Sequence, residues 1–102
     1  MVSVVRDIGV IATKRCLDVG DIDQARWTAS RALVAAPEDE LLLCARVQTE
    51  HAAGNRLEVE RLVAWITRNA RNLGIDLLPD TAAILQEVLG GRLRVGVQPT
   101  GL

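Results

Sequence analysis

Two thiols and one imidazole, Cys16, Cys44 and His51, are the side chains in this sequence that most directly suggest chemistry, because thiolate and neutral imidazole are zinc ligands. Cys44 and His51 stand seven apart, on one face of a helix, but a tetrahedral site needs a fourth ligand. No Cys-x-x-Cys pair and no clear further donor supplies it. The two cysteines read as reduced, buried core residues, and no metal or other cofactor is expected. Nucleophilic catalysis finds equally little material. Serine occurs only at Ser3 and Ser30, His51 is the sole imidazole, and no Gly-x-Ser-x-Gly, Walker loop or Gly-x-Gly-x-x-Gly is present. Glu38, Asp39 and Glu40 form an acidic run, but at the start of a helix, where negative charge complements the macrodipole. The sequence therefore reads as a non-enzymatic protein.

Arginines offer a second kind of chemistry. Arg61, Arg68 and Arg71 could meet phosphates, yet Glu58 and Glu60 are interleaved with them and the net charge is −1, without the basic surplus of a nucleic-acid binder. A solvated helix face is the favoured reading. Direct nucleic-acid binding by this face is kept as the alternative. Trp27 and Trp65, the two aromatic residues, are either interface anchors or flanking core.

These side chains must be positioned by helices. Hydrophobic residues make up 49% of the 102 residues, with no Phe or Tyr, so one core of Ala, Val, Leu and Ile is expected, closed by small side chains. No apolar run approaches the ~18 residues of a membrane span, and Arg6 and Asp7 break the apolar N-terminus before a signal region forms. No membrane contact and a cytoplasmic location are the expectation. The first helix, about Ser3 to Asp18, carries Val5, Ile8, Ala12 and Cys16 on one stripe with Val4 and Ile11 beside it. The second runs from about Ile22 to Ala36, stopped by Pro37, and the third from about Glu38 to Ala53. The third is apolar around more than half its circumference and reads as the most buried. The fourth, about Arg56 to Leu73, is closed by Gly74, and a short fifth, about Thr81 to Leu89, is capped by Asp80 and ended by Gly90-Gly91. Residues 1–91 read as one helical domain and 92–102 as a loosely structured C-terminal tail.

A repeat lies within this order. Gly20-Asp21-x-x-Gln24 and Gly54-Asn55-x-x-Glu58 are 34 residues apart, each a helix stop followed at once by a capping start. Small residues at Ala25, Ala29 and Ala32 allow the second helix to approach the first closely. The period, Ala25, Ala32 and the closing Pro37 resemble the tetratricopeptide (TPR) repeat. The large aromatic positions of that repeat are absent here, and Val59 and Ile66 stand where its second copy would carry small residues. The resemblance implies an all-α, TPR-like stack of two antiparallel helix pairs, with the fifth helix capping the open end.

A narrower resemblance covers about Ile22 to Leu89. Pro37-x-x-Glu40, Gly54-Asn55-Arg56, Leu73-Gly74, Pro79-Asp80-Thr81 and the "ARW" at Ala25 to Trp27 are similar, in order and spacing, to the bacterial transcriptional activator domain of actinobacterial regulators and multidomain proteins. That resemblance implies a protein-interaction or oligomerisation module in a larger regulator or multidomain protein, with transcription regulation as its setting. Its partner would be a protein: other domains of the parent chain, a helix or peptide, or a second copy. Placed by the 34-residue register, the inner face comprises Asp7, Val10, Lys14 and Leu17 from the first pair and Leu41, Cys44, Gln48 and His51 from the second.

Overall fold

A computed structural model describes the backbone of residues 2–97 and the side chains of residues 3–90. It is all-α. The helices are α1 (Val2–Asp18), α2 (Ile22–Ala35), α3 (Glu40–Ala52), α4 (Arg56–Leu73) and α5 (Pro79–Val97), with no strand among the described residues. Helix α3 packs against each of the other four, and α1, α3 and α5 form a contiguous row.

The ends of the helices follow local chemistry. Gly20 and Gly54 take positive φ of 78° and 76°, a region where a Cβ is penalised. Around each, the same two bonds close the preceding helix. Gly20 N–H reaches Leu17 C=O and Asp21 N–H reaches Cys16 C=O, while Gly54 N–H reaches His51 C=O and Asn55 N–H reaches Glu50 C=O. The 34-residue correspondence is thus a correspondence of backbone geometry. The caps that follow differ. Asp21 accepts the Gln24 N–H at 3.1 Å, whereas the Asn55 side chain makes no cap bond and donates instead to Glu50. Asp39 of the acidic run caps α3 by accepting from Leu41 and Leu42 N–H. Its neighbour Glu40 accepts the Leu78 N–H at 2.8 Å, which ties the segment before α5 to α3.

Two elements depart from the sequence reading. Helix α5 starts at Pro79, whose missing N–H is no loss in a first turn, and continues through Gly90 and Gly91 to Val97. The expected tail lies partly in this helix, and residues 98–102 lie outside the described residues. In α1 the buried positions are Gly9 and Thr13, while Ile8 of the anticipated core stripe is 64% exposed, with Val4 and Ile11 also exposed. The reason is steric. A Cβ placed on Gly9 would lie 2.7 Å from Ala32 Cβ and 2.8 Å from Leu42 Cδ2, so three helices meet where only a glycine fits; Ile8 turns outward, while Val5, Ala12 and Cys16 of the stripe stay half-buried.

The core has two parts. Around Gly9, the buried Ala25 and Ala29 and the half-buried Ala32 let α1, α2 and α3 approach closely. Beyond them, Leu43 and Val47 of α3, Val59, Leu62 and Ile66 of α4, and Leu85 and Val88 of α5 form a branched aliphatic cluster. Trp65 packs against that cluster, as flanking core, whereas Trp27 is 59% exposed.

Candidate functional site

Along the row of α1, α3 and α5, the face expected from the repeat register is mostly open. Asp7, Lys14 and His51 are exposed, and Val10, Leu17, Leu41 and Gln48 are half-buried. Cys44 is the exception. It is 1% exposed, and burial pushes its thiol above the ordinary range, with the Thr81 hydroxyl acting in the opposite direction. Helix α5 packs onto α3 and buries Thr81 as well, so Cys44 belongs to the interior and leaves the set of residues a ligand could touch. Cys16 is half-buried, and both thiols are free. Among the described residues, no group of three or more His, Cys, Asp and Glu side chains could hold a metal ion.

The strongest electrostatic feature lies on the other side of α3, in residues the sequence reading passed over. Glu50 is fully buried. Its Oε2 accepts from Arg26 Nε at 2.7 Å and Arg46 Nε at 2.9 Å, and its Oε1 accepts from Arg26 Nη2 at 3.0 Å and Asn55 Nδ2 at 3.3 Å. The Arg26 guanidinium is the main reason that the carboxyl is held down at about 2, with Arg46 adding to the effect against the cost of burial. The cluster continues outward. Arg26 meets Asp23 at 3.5 Å, Arg46 meets Glu58 at 3.7 Å, and Glu58 is gripped by Arg61. Arg61 holds the Glu58 carboxyl below its usual range. Three arginines and three carboxylates thereby join α2, α3, α4 and the turn between the last two, with charges balanced. A sequence signal existed: Arg46 and Glu50 are four apart on a helix otherwise lined with apolar residues.

This arrangement is structural rather than reactive. A carboxylate saturated by two guanidinium groups and an amide has no free lone pair aimed at solvent and stays ionised across ordinary pH, which suits neither a general base nor a general acid. The same cluster bears on the arginine face of α4. Arg61 is engaged with Glu58, and Arg56, Arg68 and Arg71 remain exposed.

Two small cavities lie among the described residues. One of about 170 Å³ lies between Glu38, Leu43, Trp65, Ile66 and Leu73, and another of about 230 Å³ between His51, Arg56, Val59 and Val88. Both fall below the roughly 300 Å³ at which small-molecule sites begin. Two wider depressions exceed that size: one of about 330 Å³ against Val4, Ile8, Trp27 and Arg31, and one of about 380 Å³ against Ala35, Pro37 and Asp39. No described helix is long and apolar enough to cross a membrane. No protein-family model, no curated protein and no solved structure matches the chain.

Proposed function

We propose that the chain is a non-enzymatic protein-interaction module, TPR-like in architecture and akin to the bacterial transcriptional activator domain, working within a larger cytoplasmic regulator or multidomain bacterial protein. One observation carries this reading. The first helix of each pair packs on the first helix of the next, α1 on α3 and α3 on α5, which leaves a row of Asp7, Val10, Lys14 and Leu17 beside Leu41, Gln48 and His51 open to solvent or half-open. Such a row, in which Asp7, Lys14, Gln48 and His51 alternate with the apolar Val10, Leu17 and Leu41, suits a peptide or helix laid across it.

The test is a pull-down with the parent protein's other domains or with cell lysate. Lys14→Glu combined with Gln48→Glu, both outside the core, is expected to weaken capture of the native partner while leaving the thermal melt nearly unchanged. Arg61→Glu combined with Arg68→Glu is expected to leave capture intact. Binding lost only in the arginine pair refutes the choice of face. Tight binding of the isolated chain to DNA that falls steeply with salt would replace the proposal with the nucleic-acid alternative.

A further inference from the structure

The outer face of α1 is built to be covered, and its pattern of charge fits a second copy of itself. Val4, Ile8 and Ile11 follow one another at the four-then-three spacing of a helix-packing seam, and each is more than half exposed, as is Trp27 on the adjoining α2. Side chains of this size gathered on one face mark contact surfaces in proteins of this size. The internal repeat sharpens the point. Moved 34 residues on, Ile8 and Ile11 fall on Leu42 and Ala45, which are 0% and 4% exposed because the preceding helix pair covers them. On the opposite side α5 packs on α3, whereas the outward side of α1 carries exposed aliphatic residues.

What covers this face is indicated by Asp7 and Lys14. Both are exposed, and seven residues, nearly two full turns, place them on one line along α1, on the side of the seam away from Trp27. They have opposite charge and are symmetric about the middle of the helix. An antiparallel contact that sets Ile8 of one copy against Ile11 of the other, and Val4 against the aliphatic stem of Arg15, leaves each Asp7 on the same flank as the Lys14 of the second copy and about 3 Å from it along the axis, within reach of the long lysine side chain, twice over by symmetry. A parallel two-fold contact would carry Asp7 and Lys14 of the two copies to opposite flanks of the seam and form no such pairs. We propose that the chain forms a two-fold symmetric dimer by antiparallel packing of α1 on α1, with Val4, Ile8 and Ile11 as its apolar seam and the Asp7–Lys14 pairs fixing its direction. This goes beyond the groove reading; it shares Asp7 and Lys14 with that row, while its apolar seam of Val4, Ile8 and Ile11 lies outside it.

Sedimentation of the full chain from about 1 to 100 µM tests the proposal. The wild type is expected to pass from monomer to dimer within that range. Ile8→Asp, at an exposed position, is expected to remain monomeric throughout with an unchanged circular dichroism spectrum. Lys14→Asp sets two pairs of carboxylates against each other and should weaken the dimer on the order of tenfold or more, and adding Asp7→Lys should restore it to within about threefold. A wild type that is monomeric at roughly 100 µM overturns the proposal, while the pull-down repeated with Gln48→Glu alone, on α3 and outside the seam, decides the groove separately. A dimer that survives Ile8→Asp, or a charge exchange that does not rescue, shows association through some other surface and overturns it equally.

Discussion

At the scale of single residues, Glu50 is the side chain on which most depends. A carboxyl held at about 2 against an ordinary 4.5 is one whose folded-state value is depressed. Its stabilisation is therefore complete above pH about 4.5 and is lost as the pH falls toward about 2, amounting to as much as about 3 kcal/mol. Urea melts at a series of pH values should show stability falling through that acid window. Glu50→Gln should flatten the fall and, at neutral pH, cost about 3 kcal/mol, because Arg26 and Arg46 would face each other without the buried counter-charge. A variant as stable as wild type at pH 7 would mean that the cluster contributes nothing net. This residue was hard to see in the sequence for a physical reason: an Arg and a Glu four apart look like a solvent-facing pair on any helix, and only the docking of α2 makes Arg26 a third party. Cys44 was misplaced for a related reason, since the register puts it on the inner face but the packing of α5 decides what remains uncovered there.

At the scale of elements, legibility depended on whether a boundary is written locally. The bounds of α4 are readable from Gly54-Asn55 and Gly74 because a backbone turn with positive φ requires those residues where they stand. The end of α5 was misread because Gly90-Gly91 has the composition of a stop without the geometry of one. The inward face of α1 was misread because apolar residues surround most of that helix and the choice among them falls to a glycine. Two kinds of glycine therefore behave differently on substitution. Gly9→Ala should destabilise by about 1 to 3 kcal/mol through collision with Ala32 and Leu42. At Gly20 and Gly54 a Cβ would meet open space, so Ala should cost about 1 kcal/mol through backbone strain alone, and Asn, which tolerates that conformation, should cost less. Chemical denaturation of the variants checks both. Equal losses for Ala and Asn at Gly20 would contradict the backbone explanation.

At the scale of the whole molecule, the arrangement is a chain of helices in which one member, α3, touches all the rest. The all-α class, the count of five helices and the pairing about two glycine turns could be read from periodicity and punctuation alone. What covers what could not, because it depends on contacts between residues far apart in sequence. Helical stacks commonly fray from an end, each unit opening at its own free energy. Here the Glu50 carboxylate binds Arg26 across the boundary between the two pairs and Asn55 across the turn that follows, so detaching α1 and α2 takes away its principal counter-charge and leaves Arg46 alone to balance it. Opening of the first pair is thereby coupled to opening of the second. Native-state hydrogen exchange should find the slowest amides of α2, α3 and α4 opening together in one step at pH 7, and separating into two steps once the carboxylate is removed by Glu50→Gln. A single step in that experiment would mean that the buried ion cluster makes a modular array open as one unit.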